Sequence, residues 1–223
     1  NSKELNISFD KLISLFIACL PIALIAIVGI VYQKSSLITL SFLGTTSMVG
    51  LFSASARVVE AARMGHMAVL TALYPTMANT NQMKLSGTFR VSWLLLLLLS
   101  AVGSALIYLF AKPVVEIFFG TEYELSTPVL KILAFTLIPY TVNSFLSLLF
   151  LAQKKEKTVL LILTMSALIV LVLNLWLIPR AGEVGASWGI LAAEWLQALL
   201  FLVAWRMKVV HSKGASYELS DLP

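Results

Sequence analysis

Thr158–Ile178 reads TVLLILTMSALIVLVLNLWLI and Val184–Val209 reads VGASWGILAAEWLQALLFLVAWRMKV, with only Pro179-Arg180-Ala181-Gly182-Glu183 between them. Each run has the length of about 20 residues that carries a helix across the hydrocarbon of a bilayer. Neither alternates apolar and polar residues with a period of two, and lipid admits only helices or closed barrels. Two spanning helices joined by a short break are expected here. The fold class that follows is an all-α polytopic membrane protein.

Working outward, four more runs fit the same template. The first starts near Leu12 and carries no charge as far as Val31, the second covers Val49 to Ala78, the third Ser92 to Ala111 and the fourth Pro128 to Ala152. The expectation is a six-helix transmembrane lobe over residues 1–210 and a polar, frayed cytoplasmic tail over 211–223. Composition agrees: of 223 residues 59% are hydrophobic and 12% charged, half the charge of an average soluble domain. Mean hydropathy is +0.93. The chain begins with Asn1 and shows no signal peptide, so a longer polypeptide extending upstream is expected.

The first span has an ambiguous end. After Val31 come Tyr32-Gln33-Lys34-Ser35-Ser36, then apolar Leu37 to Leu43, then Gly44. Leu37–Leu43 is too apolar for a solvated loop and Gly44 is the better stop signal, so one long helix to Leu43 is expected, kinked at Pro21. Lys34 then lies within the membrane; were the helix to stop at Tyr32, it would be an interfacial lysine that snorkels. The longest connection, Ala111 to Thr127, includes a brief interfacial helix over Pro113–Phe119.

The net charge of +5 is topological rather than a nucleic-acid face. Lys3, Lys11, Lys84, Arg90, Lys154, Lys155, Lys157, Arg206, Lys208 and Lys213 fall on one side of the spans, and Lys112, Lys131 and Arg180 on the other. That bias puts both termini on the cytoplasmic side of the inner membrane. Trp93, Trp176 and Trp205 stand near span ends, where aromatic belts lie.

Chemistry points to the second span. Arg57, Glu60 and Arg63 are spaced by three, on neighbouring positions of one helical face. Charges at membrane depth face protein or a water-filled cavity. Two cations to one anion leave a positive strip, which Lys34 can join, and arginine's planar fork suits a phosphate. The alternative is a structural ladder in which Glu60 neutralises both arginines. Glu194, with Gln197 near it, is the other carboxylate well inside a span. It can bind a coupling proton or cation, or hydrogen-bond a neighbouring helix while protonated. Asn143 and Asn174 suit interhelical hydrogen bonds, Pro139 allows a bend, and lone His66 suits packing. Asp10 and Asp221 are the only aspartates and lie outside the spans. There is no HExxH, Gly-x-Ser-x-Gly or phosphate-cradling glycine loop. With one cysteine, Cys19, and two separated histidines, no metal site, cofactor or enzyme activity is expected.

Four strings, in order, carry a resemblance. Val49-Gly50-Leu51-Phe52-Ser53-Ala54-Ser55-Ala56-Arg57-Val58-Val59-Glu60 resembles the opening of the eighth span of polysaccharide flippases, and Leu73-Tyr74-Pro75-Thr76-Met77-Ala78 its close. Ile117-Phe118-Phe119-Gly120-Thr121-Glu122-Tyr123, with Pro128-Val129-Leu130-Lys131-Ile132-Leu133, and Leu173-Asn174-Leu175-Trp176-Leu177-Ile178-Pro179, with Gly182 and Gly185-Ala186, are similar to later segments. The resemblance, from about Leu12 to Trp205, is to the C-terminal half of a polysaccharide or O-antigen flippase of the multidrug/oligosaccharidyl-lipid/polysaccharide exporter superfamily. That family often shows Arg and Asp where this chain has Lys34 and Ser36, so the cation is kept and the acid is not.

The resemblance implies one lobe of a two-lobe alternating-access transporter for polyprenyl-diphosphate-linked oligosaccharide. Its implied partners are the lipid bilayer, an N-terminal six-helix lobe of the same polypeptide and glycan polymerase machinery. On that reading Arg57, Arg63 and Lys34 bind the diphosphate, Glu60 orients the arginines, and Glu60 and Glu194 are the candidates for coupling. Rivals are a multidrug/toxin cation antiporter, which the cationic strip suits poorly, and a lipid II flippase, a closer relative. Others are a membrane-embedded glycan polymerase or ligase, for which the loops are short, and a scaffold indifferent to the charges.

Overall fold

A computed structural model describes the backbone over residues 9–78 and 87–218, and the side chains there except those at 9–15, 18, 73–78, 87–90, 92 and 208–218. The described residues form helices and no strand. These are α1 (Phe9–Leu43), α2 (Thr46–Ala78), α3 (Gly87–Leu109), α4 (Ala111–Phe119), a 3-10 turn (Thr121–Tyr123), α5 (Ser126–Ala134), α6 (Leu137–Ala152) and a run from Glu156 to Glu218. That run is broken at Gly182 into α7 (156–181) and α8 (183–218). Lys3 and Lys84 lie outside the described residues, as do the side chains of Lys11, Arg90, Lys208 and Lys213.

α1 is the long helix that Leu37–Leu43 required. It ends where Gly44 N–H donates to Leu40 O at 2.8 Å. Thr45 Oγ1 then accepts from Met48 N–H at 3.3 Å and caps α2. α1 packs chiefly on the α7–α8 hairpin.

The hairpin turns on a glycine. Gly182 has φ +53° and ψ −132°, a region open to glycine and strained for any L side chain. Beyond the turn the arms are in intimate contact: a Cβ at Gly185 would collide with Leu177 O, and one at Gly189 would stand 2.5 Å from Asn174 Oδ1. Gly182→Ala is expected to cost about 1–3 kcal/mol, read as a lower unfolding temperature of the detergent-purified protein. Unchanged stability would contradict the turn.

The fourth expected span is two helices bent by 42°, and the break falls at Phe135–Thr136, before Pro139. Proline lacks the N–H that would bond Phe135 O, and its ring crowds that carbonyl. The chain tightens locally instead: Phe135 N–H donates to Ile132 O and Thr136 N–H to Leu133 O. α3 and α4 meet at 71°. α4 begins at Ala111, two residues before the expected interfacial helix, and buries Ala111 and Val115. Beside it, exposed Lys112 reaches Glu124 at 2.6 Å and Glu116 at 3.6 Å. The Glu124 hydrogen bond, then the fields of both carboxylates, hold the lysine's pKa above its ordinary value.

Cys19–Leu43 and Glu156–Met207 are long and apolar enough to cross a membrane, and the two bent pairs qualify if each is one span. Divided at Gly182, the longer run supplies the fifth and sixth expected spans. α2 falls short in apolarity because it carries the charged triplet. The helix also continues to Glu218. No proline lies between Trp205 and Glu218, and the first residue that disfavours helix is Gly214.

The core has two centres. One joins Leu40, Phe52, Ala111, Val115, Val129, Ile178 and Ala186. The other joins Leu70, Leu96, Phe145, Phe150, Val159 and Phe201. Lys112, Lys131 and Arg180 accompany the first centre, and Lys154, Lys155, Lys157 and Arg206 the second. Large apolar side chains such as Phe42, Leu94, Leu98 and Val172 point outward, as lipid contact requires and water would penalise.

Candidate functional site

α2 runs from one core centre to the other, since Val59 belongs to the first and Leu70 to the second. Arg63 therefore stands at intermediate depth. Buried Ser55 donates to Ser126 O at 2.9 Å and pins α2 to the start of α5. The bend at Pro139 then sets Thr136 and Tyr140 beside Arg63.

A cavity of about 370 Å³ opens along this face of α2. Its wall includes Lys34, Glu60, Arg63, Thr136 and Tyr140, with Met64 and Met67 as apolar lining. Lys34 Nζ donates to Glu60 Oε1 at 2.8 Å, and both side chains are nearly half exposed. A pair this wet contributes about 0–1 kcal/mol and opens easily.

Arg63 is held far more firmly. Its Nη2 donates to Thr136 Oγ1 at 2.9 Å and to Glu194 Oε1 at 3.2 Å, and the guanidinium lies 4.4 Å from the Tyr140 ring centre. Only 14% of the Arg63 side chain and 3% of the Glu194 side chain are exposed. Asn143 Nδ2 donates to Glu194 Oε2 at 2.8 Å and to Glu194 O at 3.0 Å. α2, α6 and α8 are thereby tied together at membrane depth.

The expected triplet is thus redistributed. Glu60 pairs with Lys34 and not with the arginines, and Arg63 takes Glu194, so neither ion pair is internal to α2. The reason is reach: residues three apart are neighbours, yet long side chains extend to partners on adjacent helices. Arg57 is exposed, outside the cavity wall, and no described residue gives it a hydrogen bond or ion pair. Lys34 does face the cavity. Asn143 and Asn174 both bond across helices, Asn174 Nδ2 reaching Ser36 Oγ at 2.9 Å. His66 is buried with Nδ1 3.1 Å from Ala62 O. Among the described residues no cluster could hold a metal ion. Thr136 and Tyr140 went unnoticed in the sequence; Pro139 beside them was the available signal.

Residues 41–220 match the family described as Lipid II flippase MurJ. The chain belongs to that family. The match falls on the lipid II branch of the superfamily to whose polysaccharide branch the sequence strings pointed. The fold is also that of a solved structure, "Outward-facing conformation of a multidrug resistance MATE family transporter of the MOP superfamily", with a TM-score of 0.70 at 15% identity. That alignment takes in 95% of this chain and 49% of the other, so the MurJ-family chain spans about half the length of that transporter. No curated protein matches it. The chain is a multi-pass membrane protein of a transporter superfamily.

Proposed function

We propose that the full-length protein moves a polyprenyl-diphosphate-linked saccharide from the cytoplasmic to the outer leaflet by alternating access, and that this chain forms one of its two lobes. The cationic cavity carries the reading: a MurJ-family chain presents Lys34 and Arg63 in a space beside membrane-depth helices. A diphosphate crossing low dielectric needs its lost hydration replaced, and paired nitrogen donors replace it well. Lys34, released from a weak pair, and unpaired Arg57 make the first contacts; Arg63 makes the deepest. Glu60 recaptures Lys34 when substrate leaves.

The described cations at the Lys154–Lys157 end support that end as cytoplasmic, in an inner membrane. The head group is either a polysaccharide repeat unit, which the sequence strings favour, or that of lipid II, which the family match favours. Both hang from the same diphosphate. Depletion of the full-length protein, followed by lipid extraction and leaflet-specific labelling, tells them apart. The expected result is accumulation of one of these lipids on the cytoplasmic leaflet. Normal leaflet distribution of both, with altered drug tolerance, would point to antiport instead.

A further inference from the structure

Arg63 separates the cavity from Glu194. Its side chain lines the space, while Glu194 lies behind it, 2% exposed as a residue. Among the described residues Arg63 is the cation in contact with Glu194, and it is also the group an anion in the cavity would meet. Arg63 Nε is buried and has no hydrogen-bond partner, so the guanidinium must turn out of its seat to offer that N–H to a second anion.

Around Glu194, acceptor oxygens lack donors. Asn143 Oδ1 and Gln197 Oε1 are buried without a partner, and so is Tyr32 OH. Asn143 already touches Glu194, and Gln197 is one helical turn away on the same face. An ionised carboxylate offers these oxygens no proton. A protonated one does.

Building on the proposed diphosphate reading, we propose that substrate and Glu194 compete for Arg63, and that Glu194 takes up a proton when the substrate draws Arg63 away. The diphosphate oxygens form hydrogen bonds to the guanidinium as the 3.2 Å contact to Glu194 breaks. A carboxylate so buried is neutralised once its counter-ion leaves. Water in the cavity delivers the proton to a Glu194 carboxyl oxygen, and the new O–H donates to Gln197 Oε1, or to Asn143 Oδ1 after that amide rotates. When substrate departs, Arg63 returns and the proton leaves. The other groups nearby cannot take Arg63's place: Tyr32 from α1, with Thr136, Tyr140 and Asn143 from the bent pair and Gln197 from α8, bring no positive charge. Lys34, once it leaves Glu60, is taken up by the substrate. Loading of the anion is thus linked to loading of a proton.

Calorimetry on the full-length protein tests this, in buffers of different ionisation enthalpy. The probe is a short-chain prenyl-diphosphate-N-acetylglucosamine, a diphosphate diester with no proton to exchange near neutral pH. The expected result is uptake of about one proton per bound molecule, and loss of that uptake in Glu194→Gln, whose amide keeps the Asn143 contact. Infrared difference spectra of the unsubstituted protein give a reading that needs no variant: a protonated-carboxyl band should appear on binding. Binding without proton uptake or band, or uptake unchanged in Glu194→Gln, overturns the exchange while leaving the diphosphate site standing. No binding at all overturns both.

Discussion

Arg63→Leu destabilises the protein by about 3–5 kcal/mol, and adding Glu194→Leu restores most of that loss. Removing Arg63 alone strands a carboxylate that is almost wholly buried and leaves Thr136 Oγ1 without its donor. Removing both charges swaps an ion pair for apolar volume, which interiors often accept without net cost. The reading is the unfolding temperature of each variant in detergent, closed as a double-mutant cycle. A single variant as stable as its parent would show that the pair bears no structural load. A double variant as damaged as the single would move that load from charge to shape. In either case Arg63 is unsuited to a clean test of substrate binding, because loss of transport in its variants mixes folding with function.

Lys34 and Arg57 are suited to that test. Lys34 shares a half-exposed pair and exposed Arg57 has none among the described residues. Lys34→Gln with Arg57→Gln should therefore change stability by no more than about 1 kcal/mol. Transport is expected to fall steeply. A hydrogen bond to a charged group contributes about 1.5–3 kcal/mol, so losing two predicts at least about a hundredfold drop. Losing Lys34 also leaves Glu60 as an uncompensated negative charge facing an anionic substrate. Flipping rates, normalised to protein level, give the answer; a double variant with full activity would remove both cations from the substrate path.

The membrane fold was legible because each signal was local. Leu37–Leu43 and Gly44 located the end of α1, the apolar runs on either side of Pro179–Glu183 announced the hairpin, and Pro139 announced a bend. The position of that bend was not visible from the proline itself, since a missing N–H acts one turn earlier, at Phe135. The candidate site was legible as a set of residues and not as a set of pairs. Lys34 and Glu60 are 26 residues apart and Arg63 and Glu194 131 apart. Periodicity shows which residues share a face, whereas pairing depends on which faces meet and how deeply. Thr136 enters for the same reason: nothing in its neighbours marks it until the bend turns its hydroxyl toward Arg63.

The diphosphate-lipid flippase claim is tested most directly with the full-length protein in sealed vesicles. Purified lipid II and a lipid-linked polysaccharide repeat are supplied in separate preparations, and the fraction of saccharide open to an enzyme added outside is followed over time. The expected result is protein-dependent movement of at least one of the two lipids, lost in Lys34→Gln with Arg57→Gln at equal protein content. Vesicles that move neither lipid faster than protein-free controls, or a double variant that moves them as fast as its parent, would contradict it.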